Sequence, residues 1–165
     1  MLFRSIEELI EEAARIPSTS TVVHPYFAGG STFRNDPTMT ASVRGLTLNS
    51  RPAEFALALI EASGFETFDA LTHTHHTMGS PSVIVSTGSG STLVTTQIRA
   101  DAVGLDFLLV DKDAATRGAV LQARVALGEA SRLVPSDPPP GVRVEPREWD
   151  HIAVKREEYL NDTTA

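Results

Sequence analysis

Apolar positions recur along this chain with two different periods, and the switches between them mark its elements. From Ser5 to Ile16 the residues Ile6, Leu9, Ile10 and Ala13 keep helical spacing, with Ser5 as a cap and Glu8 three residues on. Pro17 closes this helix. Thr21 to Phe27 is rich in strand formers but carries Pro25, so an edge strand that breaks into the following loop is expected. Ala28 to Met39, with two glycines and the turn Asn35-Asp36-Pro37, is that loop, and Val43 to Leu48 is a short strand. A long helix then opens near Arg51-Pro52, with Asn49 or Ser50 as its expected cap and the proline tolerated in its first turn. Its apolar stripe, Phe55, Ala58, Leu59, Ala62, Phe65, Phe68 and Leu71, keeps the helical period for more than four turns, which predicts the central core element.

The second half reads as a βαβα unit. Ser82 to Ser86 is an apolar strand, Thr87 to Ser91 a glycine-rich turn, Thr92 to Val103 a helix, and Asp106 to Val110 a second strand. Another helix opens before Arg117-Gly118. This order implies two parallel neighbouring strands joined by a right-handed crossover, with helices covering the sheet, and hence an α/β fold class. Residues 135–141, which hold four of the chain's prolines, predict an extended linker after a domain of residues 1–134. Residues 142–165 then form a tail: one short edge strand at Val142 to Pro146, and a weak helical pattern through Trp149, Ile152, Arg156, Tyr159 and Leu160.

Composition narrows the picture. At 165 residues with 41% hydrophobic content, the chain suits one domain with a proper core, and it holds no apolar run of membrane-spanning length. Its formal charge is −7, with Lys and Arg scattered, which argues against a nucleic-acid partner. The absence of cysteine excludes disulfides, thiol nucleophiles and thiolate metal sites. Acids stand where a signal peptide would carry its apolar core, so a cytoplasmic protein is expected.

The strand-to-helix turn at Gly88-Ser89-Gly90 carries the most chemistry. Glycines there leave backbone N–H groups and the positive end of a helix dipole open to an anion, typically phosphate. The turn is neither a dinucleotide fingerprint nor a P-loop, and plain connection is the commoner role for such a sequence. His73 and His76 share a helix face at a metal-ligand spacing but lack a partner carboxylate, and a polar helix end accounts for them. His24 reads as a strand residue. Asp36 reads as a turn former, and Asp111 or Asp113 as a helix cap.

Six blocks in order resemble a known family: the Ser5 helix, His24-Pro25-Tyr26-Phe27-Ala28-Gly29, Asn35-Asp36-Pro37, Arg44 to Asn49, the helix opening at Pro52, and the glycine turn through Asp101 with Ala114 to Leu121. Together they are similar to the C-terminal domain of the FGGY carbohydrate kinases, most like the xylulokinase and gluconokinase side. The resemblance implies half of an actin-like, ribonuclease-H-like ATPase fold with a mixed sheet, in which two lobes close over ATP and a sugar. It places Gly88, Ser89, Gly90 and Ser91 at the nucleotide, with Gln97, Asp101, Arg117 and Gly118 nearby. Gly29, Gly30, Ser31 and Asp36 correspond to a loop on the substrate side. ATP with magnesium would be the cofactor, and a sugar, sugar acid or sugar alcohol the acceptor. No metal site or catalytic residue is carried over, because the family's catalytic carboxylate lies in an N-terminal lobe without counterpart here. A segment or split subunit completed by a separately encoded lobe is therefore expected, or a non-catalytic kinase remnant. Self-association through the surface that lobe would cover is a further expectation.

Two departures from the family bear on the site. Its Gly-Glu-Arg-Thr-Pro loop appears as Gly29-Gly30-Ser31-Thr32-Phe33, without the charged pair. The middle glycine of the turn is Ser89, which predicts strain if that position needs positive φ.

Overall fold

A computed structural model describes residues 5–30, 34–110, 113–129, 140–148 and 150–163. Ten elements follow in order: α1 (Ile6–Ala13), β1 (Val22–His24), β2 (Ser42–Arg44), α2 (Pro52–Met78), β3 (Ile84–Ser86), α3 (Leu93–Val103), β4 (Phe107–Val110), α4 (Ala114–Ala126), β5 (Gly141–Val144) and α5 (Asp150–Thr163). The expected mixed α/β architecture is present. β3 and β4 run parallel with Ile84 opposite Phe107. β5 joins antiparallel on the far side of β4 with Val144 opposite Phe107, giving the order β3-β4-β5. β1 and β2 form a separate antiparallel pair.

Local chemistry accounts for most helix ends. Ser5 caps α1 by accepting the Glu8 N–H at 3.2 Å. The cap of α2 lies one step beyond the expected Asn49 or Ser50. Arg51 takes that position, and its N–H donates to the Glu54 carboxylate at 2.7 Å. Ser50 instead accepts the Thr47 N–H at 2.9 Å and closes the preceding turn. α3 ends at Gly104 in the left-handed region, φ 78°, where glycine is the least strained residue.

The core follows the contact line of α2 with α3. Ala13 and Ile16 meet Ala53, Leu57 and Ile98 at one end. Val22, Ala62, Phe65, Ala102, Ile152 and Tyr159 join in the middle. Ala100 and Val103 cover Phe107 and Val144 at the other end. Gly64 permits the closest approach, because a Cβ there would stand 2.5 Å from the Ala102 Cβ. The predicted α2 stripe is broader than one face: Leu57, Glu61 and Gly64 are buried alongside Ala58, Ala62 and Phe65. α5 delivers Ile152 and Tyr159 to the core, whereas α4 buries no residue. No described helix is long and apolar enough to cross a membrane.

Candidate functional site

β3 runs directly into the Thr87 to Ser91 turn, and hydroxyl groups from the flanking elements fix its shape. Ser86 donates to Ser91 Oγ at 2.9 Å, and Ser91 Oγ donates to the Thr87 carbonyl at 2.9 Å. Thr92 and Thr95 cap α3 reciprocally: the Thr95 N–H reaches Thr92 Oγ1 at 3.2 Å, and the Thr92 N–H reaches Thr95 Oγ1 at 2.9 Å. Thr95 Oγ1 also donates to the Gly90 carbonyl at 2.8 Å, which ties the turn to the helix it feeds.

The outer side of the turn is open. Gly88 has φ 99°, a conformation glycine alone adopts without strain, and no heavy atom lies within 4 Å of a Cβ built at Gly88 or Gly90. Among the described residues no protein acceptor meets the N–H groups of Ser89, Gly90, Leu93 or Val94. These four donors sit on one turn and on the positive end of α3, an arrangement suited to an anion with several oxygens. The strain expected at Ser89 is absent. Among the described non-glycine residues only Asn35, at φ 45°, has positive φ, so Ser89 is accommodated without a glycine. The Ser91 hydroxyl is buried, accepting from Ser86 and donating to the Thr87 carbonyl.

The other residues that the family resemblance places near a nucleotide take separate places. Gln97 Nε2 donates to Asp101 Oδ1 and to the Glu145 carbonyl, both at 2.9 Å. Asp101 in turn accepts from the Arg147 N–H at 2.7 Å and from its guanidinium at 2.6 and 3.0 Å. Both residues thus fasten α3 to the segment after β5. Arg117 and Gly118 lie on exposed α4, where Thr116, Arg117, Val120 and Arg124 border a shallow hollow. No hydrogen bond among the described residues links them to the glycine turn.

In the loop that the resemblance places on the substrate side, the Gly30 N–H donates to the Asp36 carbonyl at 2.7 Å, and the Asp36 N–H returns the bond at 3.1 Å. Gly29 stands at φ 85°, and a Cβ there would meet Pro37 Cα at 2.8 Å. The Asp36 carboxylate accepts from the Thr38 hydroxyl at 2.6 Å and its N–H at 2.8 Å, and these bonds hold its carboxyl below the ordinary range. Asp36 therefore acts as the turn former its sequence context suggests. Ser31, Asp111, Trp149 and residues 135–139 lie outside the described residues.

The structure corrects the reading that His73 lacks a partner carboxylate: its Nδ1 lies 3.2 Å from Asp69, one turn earlier on α2, although among the described residues no group of three or more possible ligands forms. His75 Nδ1 lies 2.9 Å from Ser80 Oγ. His24 is buried, with Nε2 donating to the Tyr159 carbonyl at 3.2 Å and Nδ1 3.1 Å from Ser42 Oγ. Its ring stacks on Tyr159 at 4.4 Å, and burial lowers its basicity. Asp113 occupies the N-cap position of α4 without a side-chain bond.

Sequence reading missed a buried polar network on α2. Glu66 Oε1 accepts from Tyr26 at 2.6 Å and from Tyr159 at 2.7 Å, while Arg34 lies 3.6 Å from Glu66 and pairs with Asp69. Burial pushes the Tyr26 phenol up to about 12 and raises that of Tyr159 as well. One turn earlier Glu61 pairs with buried Lys155 at 2.5 Å. The available signal was an acid at interior spacing within the α2 stripe, matched by Lys155 and Tyr159 four residues apart on α5. A cavity of about 200 Å³ adjoins Glu61, between the end of α1 and the start of α5, with Asp101, Arg147 and His151 on its walls.

The sequence pattern of the FGGY family of carbohydrate kinases, C-terminal domain, matches residues 2–127. A xylulose kinase from Brucella ovis superposes with TM-score 0.77 at 20% identity, over 96% of this chain and 34% of its own. One from Rhodospirillum rubrum has TM-score 0.77 at 18% identity, over 96% and 33%. A Plasmodium falciparum glycerol kinase, solved with ADP, has TM-score 0.70 at 18% identity, over 98% and 34%. The chain thus spans about a third of the length of these proteins and shares their actin-like ATPase fold. No curated protein sequence matches it. With three quarters of its length matched, the chain belongs to the FGGY family of carbohydrate kinases, as a form of their C-terminal domain.

Proposed function

We propose that this chain is the nucleotide-side lobe of an ATP-dependent carbohydrate kinase. The observation that carries the reading is the open turn at Gly88 to Gly90, with unpaired N–H groups on Ser89, Gly90, Leu93 and Val94. Those donors and the α3 dipole suit the phosphate chain of ATP, while Arg117 and Gly118 on α4 would lie toward the adenosine. ATP supplies the γ-phosphoryl group. Its bond to the β-bridging oxygen breaks, a bond to an acceptor hydroxyl oxygen forms, ADP leaves, and the hydroxyl proton passes to a carboxylate. The acceptor is a sugar, sugar acid or sugar alcohol. The carboxylate belongs to a facing N-terminal lobe, because a single wall cannot hold two substrates in line. Magnesium would accompany the ATP phosphates and spread their charge.

Calorimetric titration with ATP tests this reading. The wild type should release heat, and Gly90→Val should abolish it, because a branched side chain would fill the open approach. Equal heats would refute the site. The isolated chain should phosphorylate no sugar, and turnover without a second polypeptide would refute the need for a facing lobe. A second reading, a non-catalytic remnant, draws on Gln97 and Asp101, whose amide nitrogen and carboxylate are engaged by the Glu145 carbonyl and by Arg147. The absence of ATP heat in the wild type would favour it.

A further inference from the structure

The cavity of about 200 Å³ beside Glu61 lies where the end of α1, α2, α3 and the start of α5 converge. That volume holds roughly seven waters, the bulk of a small metabolite and too little for a nucleotide. Buried Ile16, Leu57, Ile98 and Ile152 give it apolar walls. Glu61 interrupts them with a carboxylate on a side chain only 3% exposed. Lys155 donates to its Oε2, and among the described residues no donor meets Oε1. Buried acceptors are nearly always bonded, so Oε1 calls for an N–H or O–H from whatever fills the cavity.

Charge narrows the guest. Besides Glu61, the walls carry Asp101, Arg15, Arg147 and His151. Arg147 reaches Asp101 at 2.6 Å, and Lys155 offsets Glu61, so these two pairs nearly cancel. Arg15 is the cation least engaged by protein: it is 78% exposed and lies 4.0 Å from the exposed carboxylate of Glu11. A guest carrying only a carboxylate would be repelled at Glu61, and one carrying only an amine at Arg15. A sugar would press its hydroxyls against four aliphatic side chains, where they find no partner. A molecule with an ammonium group, a carboxylate and an aliphatic chain suits all three surfaces.

We propose that this cavity binds a free α-amino acid with an aliphatic side chain. Its ammonium group donates to Glu61 Oε1, its carboxylate accepts from Arg15, and its side chain lies on Leu57, Ile98 and Ile152. Such a guest touches the end of α1, α2, α3 and α5 at once, surfaces that only the folded chain brings together, so its binding stabilises the fold. None of these residues belongs to the glycine turn. The site therefore goes beyond the kinase reading, and neither depends on the other.

The test is calorimetric titration with L-leucine, read beside two relatives that keep its side chain and one charge each: isocaproate, without the ammonium group, and isoamylamine, without the carboxylate. Leucine should give a saturable heat and raise the melting temperature. Each relative should bind about tenfold or more weakly, because each forfeits a charge-assisted bond. Arg15→Gln should weaken leucine by about tenfold and leave isoamylamine no weaker than before. Ala14→Phe, at an exposed position on the cavity wall, should block leucine while helical circular dichroism stays unchanged. Glu61 is kept in these variants because its loss would strand buried Lys155. The proposal is overturned by the absence of a saturable leucine heat, which leaves the cavity to water, by relatives that match leucine, or by variants that bind leucine as the wild type does. ATP heats on the same samples bear on the glycine turn alone, so the two readings fail separately.

Discussion

The region where α2, α5 and β1 meet and the region from β3 to α4 belong to one small domain, yet they treat polar groups in opposite ways. In the first, Glu66 takes two phenols, Glu61 takes Lys155, and His24 uses both ring nitrogens. In the second, among the described residues, four N–H groups around Gly88 to Val94 meet no acceptor, no strand lies beyond β3, and α4 buries nothing. Buried polar groups must be paired to be tolerated, so the closed region explains why the chain holds its shape. Open donors on a rigid frame are where a ligand or partner adds bonds, so the unfinished region is where function is sought.

The sharpest way to break this contrast is Lys155→Met, which leaves the Glu61 charge buried without a partner. Burial already pushes the Glu61 carboxyl up, with Lys155 pulling it back. A loss of about 3–5 kcal/mol in denaturant unfolding is expected, while replacing both residues by leucine should restore most of it. A change under 1 kcal/mol in the single variant, on the order expected of exposed pairs, would show that water reaches the pair. Gly64→Val should rank next, losing about 1–3 kcal/mol, because its side chain would drive α2 from α3 at Ala102. Tyr159→Phe removes one bond to Glu66 but leaves that of Tyr26, so about 1 kcal/mol is expected.

A smaller effect should appear as pH dependence. Burial lowers the His24 value below the ordinary 6.5, so the unfolded chain takes up a proton before the folded one does. The His24 contribution is therefore present above pH 6.5 and fades as pH falls toward the folded value. Melting temperatures of wild type and His24→Gln should converge on acidification through that window, and a constant gap would contradict this. Gly90→Val should affect folding least, by under about 0.5 kcal/mol, because its side chain meets open space, although it removes the ATP heat. The pair Gly64 and Gly90 thus states the comparison in one residue type: one glycine serves packing and the other access.

Periodicity and turn chemistry made much of this legible in the chain. Ser5, Pro52 and Thr92 mark helix starts, and the Ser82 to Val110 pattern anticipates the parallel pair. Local rules suffice there because the partners lie within a few residues. The Asn49 or Ser50 cap was misplaced because Glu54, three residues after Arg51, competes for the same role. The glycine turn was legible as an opening, but its lack of strain at Ser89 depends on dihedral angles that spacing does not encode.

What the sequence determined by itself is the order and type of elements, the candidate phosphate turn and the family, since each rests on residues near one another or on blocks kept in order. Only the tertiary structure decided that Glu66 joins Tyr26 to Tyr159, that Gln97 is tied to Glu145, and that β3 ends the sheet of the described strands. These depend on pairings across 40 to 93 residues, or on the lack of any neighbour, and no local period records either one.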